Sequence, residues 1–231
     1  LELKDAAGAV VQTVEPSAKA IDHVEFVVDS GPLKTGDHQA DCKVWLTSDP
    51  AKGEASIALH RVAKATQRRV YIDKYQRVIV EGKPFFPLGM YWSGIKPDQL
   101  ATYADSAFNC LMPYGAPTKE QMDLVQKHNL KVIYSIKDFY AGSKYCPDFI
   151  KSVEDERPEI EKKVRAHRDH SALLAWYLND ELPKSMIERL ASHQQWIEEL
   201  DPDHPSWVVL YQVNDVRAYL SSFDAIGTDP Y

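Results

Sequence analysis

Six consecutive residues carry most of the chemistry legible in this chain: Trp176, Tyr177, Leu178, Asn179, Asp180 and Glu181. An apolar run that ends in an amide and two carboxylates fits a buried strand delivering polar groups to its tip, because unpaired carboxylates inside a strand core are strongly disfavoured. Adjacent carboxyls suit acid/base work, in which one group holds a proton that the other lacks. Glu181 is therefore the candidate acid/base, with Asp180 and Asn179 as candidate substrate contacts. The competing readings are a solvated Glu181, favoured by the dipole of a helix opening near Pro183, and an Asp180 that hydrogen-bonds a neighbouring strand end.

The elements that would position these groups show in the rhythm of the chain. Short apolar runs at 85–92, 108–115, 130–138, 173–181, 206–212 and 223–231 alternate with longer segments of helical period, which implies βα units and a parallel sheet. Helix starts are marked by Pro97-Asp98, by a capping box of Thr118 with Gln121, by Pro158 and by Pro183, and a short last helix spans about 215–221. Period alone leaves a doubly wound sheet and a closed barrel open. The barrel is preferred because run after run ends in polar or aromatic residues: Tyr91 and Trp92, Tyr114, Asp138, Tyr211, Asp229 and Tyr231, beside Asn179 to Glu181. A nucleotide-binding sheet would show a glycine-rich loop after its first strand, and the stretch 90–98 has neither that loop nor a phosphate-binding lysine. Residues 67–231 are accordingly expected to form the first six βα units of a (β/α)8 TIM barrel, in the α/β class.

Upstream, residues 1–66 have strand character at 22–30, 38–48 and 54–62, with turn chemistry in 30–37 and 49–54. Cys42, Val44 and Leu46 alternate with Lys43 and Trp45, as in a half-buried antiparallel sheet, so a small β-sandwich of immunoglobulin type, incomplete at its start, is expected. The polar segment 63–69 marks the domain boundary, and Glu81-Gly82 between two apolar runs reads as a tight hairpin under the barrel.

The run from Trp176 to Glu181 resembles the fourth-strand motif of the clan A glycoside hydrolases, Trp-x-Leu-x-Asn-Glu, whose last residue is the general acid/base. Trp176 and Leu178 match, and Glu181 falls on the acid/base; Asp180 departs from the asparagine that binds the sugar 2-hydroxyl. Gly82-Lys83-Pro84-Phe85-Phe86 with Gly89 is similar to the stretch leading into the barrel of that kind of protein. The order sandwich, hairpin, barrel resembles the family 2 β-galactosidase and β-glucuronidase type over about residues 68–231. The resemblance implies a retaining glycosidase acting on an oligo- or polysaccharide, with the nucleophile on a seventh strand beyond residue 231. Six strands leave two units, roughly 60 residues, short of closure, so a further C-terminal segment or a second polypeptide is expected to complete the barrel. The alternative from another class is a non-catalytic carbohydrate-binding or structural protein on the same barrel. A lyase-like barrel would need a Lys or His at a strand end, where only Lys137 comes near.

The remaining composition narrows the partners. The formal net charge is -7, with 34 acidic against 27 basic residues and no basic stripe, which disfavours nucleic acid and anionic membrane surfaces. No apolar stretch approaches the length of a membrane span. The start LELKDAAG lacks signal-peptide layout, which leaves a processed, secreted form as the compartment leaned toward. Cys42, Cys110 and Cys146 cannot all pair within the chain and are expected as thiols. None of the eight histidines ends a strand, so neither a metal nor another cofactor is expected. Tyr91, Trp92, Tyr114, Tyr140, Tyr211 and Tyr231 would suit sugar stacking, though each equally suits packing, and Asp138 and Asp229 could instead serve as helix caps. Trp176 is expected inside the barrel, and Trp196 and Trp207 in the core.

Overall fold

The structure is a computed structural model that describes residues 1–231 except 20–23, 30, 32, 35, 47–48, 62–67, 93, 212 and 230–231. It divides into two compact units, Leu1–Gln67 and Arg68–Tyr231.

In the first unit, strands β1 (Glu2–Asp5), β2 (Val10–Thr13), β5 (Gly36–Leu46) and β6 (Asp49–Arg61) form an antiparallel sheet in the order β2-β1-β5-β6, and β3 (Ala18–Lys19) pairs β4 (Val24–Glu25) in a two-residue ribbon. Alternation puts Leu3 and Ala40 on a common face, where they are buried with Leu33. The hairpin β1–β2 closes where the Asp5 carboxylate accepts the N–H groups of Ala7 and Ala9, a turn device that the sequence reading missed. Residues 49–54, read as a turn, instead begin β6. Val44 pairs Gly53 and Trp45 pairs Lys52, and residues 47–48 lie outside the described residues. Pro50 is tolerated there because β6 is an edge strand and need not donate to a second neighbour. Of the expected strand at 22–30, residues 22, 23 and 30 lie outside the described residues, and among the described ones the strand is Val24–Glu25.

The second unit opens with an antiparallel meander, β7 (Val70–Ile72), β8 (Val78–Val80) and β9 (Lys83–Pro84). Glu81 and Gly82 both have positive φ, 49° and 79°, as the two central residues of a tight primed turn require. Six parallel strands follow in sequential order: β10 (Gly89–Trp92), β11 (Cys110–Pro113), β12 (Lys131–Ser135), β13 (Leu173–Asp180), β14 (Ser206–Leu210) and β15 (Ala225–Thr228). Between them lie α1 (Pro97–Ala104), α2 (Lys119–Lys127), α3 (Glu156–His167) and α4 (Ile187–Leu200), while Val213–Ser222 is a 3-10 helix. Thr118 and Gln121 form both halves of the capping box of α2. Helix α3 starts two residues before Pro158, which sits in the first turn where no N–H is called for.

Period-2 alternation sorts the strands onto two faces. Leu111, Val132, Tyr134, Val208 and Leu210 pack against Leu100, Met122, Val125, Ile160, Val164, Leu190 and Ile197 of the helices. Cys110, Ile133, Ala175, Tyr177 and Val209 form a second, inner cluster with Val70 and Val80 of the meander, so the hairpin strands seal the inner face from below. Trp176, expected inside, belongs to the helix-side cluster. A buried indole N–H needs an acceptor, and Asp201 supplies one at 2.8 Å from the helical layer.

The sheet is curled into a half-barrel. Three strand spacings separate β10 from β13, about 14 Å if flat. Yet the Tyr91 hydroxyl on β10 reaches the Asp180 carboxylate on β13 at 2.8 Å. All three cysteines are free thiols. Among the described residues no helix is long and apolar enough to cross a membrane.

Gly89 on the edge strand tests this packing, since a Cβ there would fall on the Cys110 backbone carbonyl of the paired strand. Gly89→Ala should cost about 2 kcal/mol or more, read as a lowered urea midpoint, because the obstacle is backbone and cannot swing aside.

Candidate functional site

Asp180 is the last residue of β13 and the hub of a polar cluster at the C-terminal edge of the sheet. Its Oδ2 accepts from the Tyr91 hydroxyl at 2.8 Å and lies 3.3 Å from the Lys137 ammonium. Lys137 also reaches Asp138 Oδ1 at 3.0 Å. With its side chain only 6% exposed, Lys137 would be costly to bury alone, and the two carboxylates supply the compensating charge. Burial pushes the Asp138 carboxyl above its ordinary range, and the Lys137 ammonium opposes the rise.

An aromatic wall stands beside the cluster. Tyr91 stacks on Tyr114 with centroids 3.8 Å apart and meets Tyr177 edge-on at 6.0 Å. Burial pushes the Tyr91 and Tyr177 hydroxyls far above the usual phenol value, so both stay protonated; Tyr91 donates to Asp180, whereas the buried Tyr177 hydroxyl makes no hydrogen bond among the described residues.

Glu181 follows directly, half-exposed, with φ of 59° and its N–H bonded to Val209 O on β14 at 2.9 Å. The pairing of β13 with β14 slips between Tyr177 and Asn179, which re-aims the strand tip. A left-handed glutamate is uncommon. Gln76 and Glu81 adopt such φ values in hairpin turns and Asn129 just past α2, whereas Glu181 does so at the end of a parallel strand. Asn179 does not join the cluster: fully buried, it accepts the Leu182 N–H at 2.8 Å and secures the turn after Glu181.

The other expected contacts divide. Tyr114 is 49% exposed and stacks on Tyr91 at the rim, while Asp138 joins the cluster through Lys137. Trp92 packs edge-on against Tyr103 at 4.7 Å on the helix side. Tyr211 is 47% exposed at the end of β14, and Asp229 donates its backbone N–H to Leu210 O. Tyr231 lies outside the described residues. Two members of the cluster escaped the sequence reading as site residues, Lys137 and Tyr177. Their signal was alternation, since Tyr177 lies two residues beyond Ala175 on the inner face and Lys137 continues Ile133 and Ser135.

The segment carrying Lys137 and Asp138 is pinned from behind. The buried Glu156 carboxylate accepts from Ala141 N–H at 2.7 Å, from Arg189 and from His193 Nε2 at 3.0 Å, while Arg189 also donates to Ala141 O. Tyr140, expected among the sugar-stacking aromatics, is instead fully buried, stacking on His193 at 4.0 Å and donating to Leu178 O of β13. Burial, with Arg189 adding to it, pushes the His193 imidazole down to about 3, so it is neutral and donates one N–H to Glu156. Among the described residues no group of three metal-ligating side chains comes together.

The architecture is that of an α/β protein with a parallel half-barrel and separate antiparallel sheets, and the solved structures of like fold include glycoside hydrolases. One is a glycosyl hydrolase family 2 member from Bacteroides cellulosilyticus, with TM-score 0.57 and 13% identity over 99% of this chain and 32% of that one. Others are the β-glucuronidases of Ruminococcus gnavus, with TM-score 0.51 and 14% identity over 100% of this chain and 41% of that one, and of Dictyoglomus thermophilum, with TM-score 0.51 and 15% identity over 98% and 42%. At such identities the likeness is one of fold, and the chain spans well under half the length of each. No family model and no curated protein matches the sequence.

Two outcomes follow from the Glu156 anchor. Glu156→Ala should lose about 3–5 kcal/mol in urea unfolding, because it strands the Arg189 charge and the Ala141 N–H together. His193 is depressed from its ordinary 6.5 to about 3, so the unfolded chain binds the extra proton in that window. Its contribution is therefore present above pH 6.5 and lost as pH falls toward 3, at up to about 1.4 kcal/mol per pH unit. Urea unfolding across pH should show this slope in the wild type and a flatter one in His193→Gln.

Proposed function

We propose that the second unit is the first part of a (β/α)8 barrel glycoside hydrolase, with Glu181 as its acid/base carboxylate and a saccharide as substrate. The observation that carries this is Glu181 itself: a half-exposed carboxylate in a left-handed conformation at the end of the fourth parallel strand, beside the Asp180 cluster. The strand slip and the Asn179 amide hold that conformation against its intrinsic cost, which suits a carboxylate kept in one orientation for proton transfer. The fold of the glycoside hydrolases named above supports the class of chemistry. Fold alone does not establish it, and the residues at the strand tip are what favour it.

In this reading Asp180 stands where an asparagine would hold a sugar hydroxyl. Tyr91 and Lys137 already occupy its Oδ2, leaving Oδ1 to accept from substrate, and Tyr114 offers an apolar face to the ring. The second carboxylate comes from a seventh strand outside residues 1–231. For retention it would sit roughly 5–5.5 Å from Glu181. The antiparallel first unit is read as part of an immunoglobulin-like sandwich, and a secreted location is the one favoured.

Glu181→Gln in the whole protein should lower turnover of glycosides with poor leaving groups by about 10²–10⁴-fold, the usual contribution of general acid catalysis. Steady-state kinetics on alkyl and nitrophenyl glycosides measure it. Turnover unchanged by the substitution would remove Glu181 from the mechanism and leave the non-catalytic binding reading in its place.

A further inference from the structure

Next to the Asp180 cluster lies a cavity of about 260 Å³ between the loops that follow β11 and β12. Phe139, Pro147 and Phe149 make its apolar side, and Asp138, Lys137 and Lys163 its polar side. Phe139 is buried and braces Phe149 edge-on at 5.6 Å, while Phe149 itself is 51% exposed. A supported aromatic with a free face, opposite a small number of polar groups, is the usual make-up of a site for a ring ligand. Asp138 holds Lys137 through Oδ1, and among the described residues no hydrogen bond reaches its Oδ2.

We propose that this cavity is a second saccharide subsite, taking an uncharged, hydroxyl-bearing sugar ring next to the one held at Asp180 and Glu181. This assignment rests on the glycosidase reading for its ligand class but not on catalysis. The ring's C–H face lies on Phe149 and Pro147, and one hydroxyl donates to Asp138 Oδ2. Lys163 donates to another ring oxygen. The carboxylates of Asp138 and Asp180 balance the ammoniums of Lys137 and Lys163, so the site carries no net charge to draw in an acidic ring, whose own charge would also face Asp138. The shared ammonium makes the two places neighbours: one Nζ lies 3.0 Å from the carboxylate lining the cavity and 3.3 Å from the one in the central cluster.

Saturation-transfer NMR with the methyl glycosides of neutral hexoses, and with a uronic acid for comparison, tests the assignment on the whole protein. The neutral sugars should bind the wild type at millimolar concentration. Phe149→Ala and Asp138→Asn should each weaken binding about tenfold, as loss of a ring contact or a charged hydrogen bond does. Phe149→Tyr should retain it, and so should Glu181→Gln. No saturation of any neutral sugar, equal binding to the Phe149→Ala variant, loss on Glu181→Gln, or preference for the uronic acid would each overturn the subsite. Because Glu181→Gln is read here by binding and above by turnover, failure of the subsite and failure of the catalytic reading are told apart.

Discussion

The hydrogen bond from Tyr91 to Asp180 expresses the constraint on which the second unit depends: the parallel sheet must curl until its first and fourth strands face each other. Strands twisted in the usual sense and clothed on one side by α1 to α4 bend away from the helices, and the sheet curls around its inner face. That face is packed by Cys110, Ile133, Ala175, Tyr177 and Val209 with Val70 and Val80 from the meander. Only at the strand tips, where this packing stops, does space remain for polar groups. Tyr177 marks the transition, with its ring in the packed interior and its hydroxyl toward Tyr91 and Asp180.

Two buried charge clusters flank the segment that leaves β12, and they do different work. On the rim, Lys137 is shared between Asp138 and Asp180, which ties the end of the third strand to the end of the fourth. Behind it, Glu156 gathers Arg189, His193 and the Ala141 amide, tying the same segment to α3 and α4. Each is favourable because every charge has a near partner; either one opened by a single deletion would leave an uncompensated ion in low dielectric. The rim residues therefore stand on a backbone held at both sides, as a site that must keep its geometry requires.

Much of this was readable before any coordinates. Alternating apolar runs and helix-start signals mark all six parallel strands and the capped start of α2, because both depend on near neighbours in the chain. The weaker reading was at the antiparallel end. Pro50 and Gly53 looked like a turn, yet pairing with β5 draws residues 49–54 into β6, and β1 and β2 carry too few apolar residues to show a period. Trp176 was expected inside because it sits in an apolar run, but an indole N–H follows its acceptor, and Asp201 is a distant residue in sequence.

The tips behave in the same way. Residue types alone placed Asp180 and Glu181 at the end of a strand, because no other location tolerates two adjacent carboxylates so close to an apolar run. Which groups would meet them was a matter of curvature and register. Tyr91 precedes Asp180 by 89 residues, Lys137 enters through continued alternation past the end of β12, and Asn179 is turned to the Leu182 amide by a slip of the strand pairing. Local sequence determines what each strand presents at its end, whereas the bending of the sheet, a sum over all its neighbours, decides which of those ends touch.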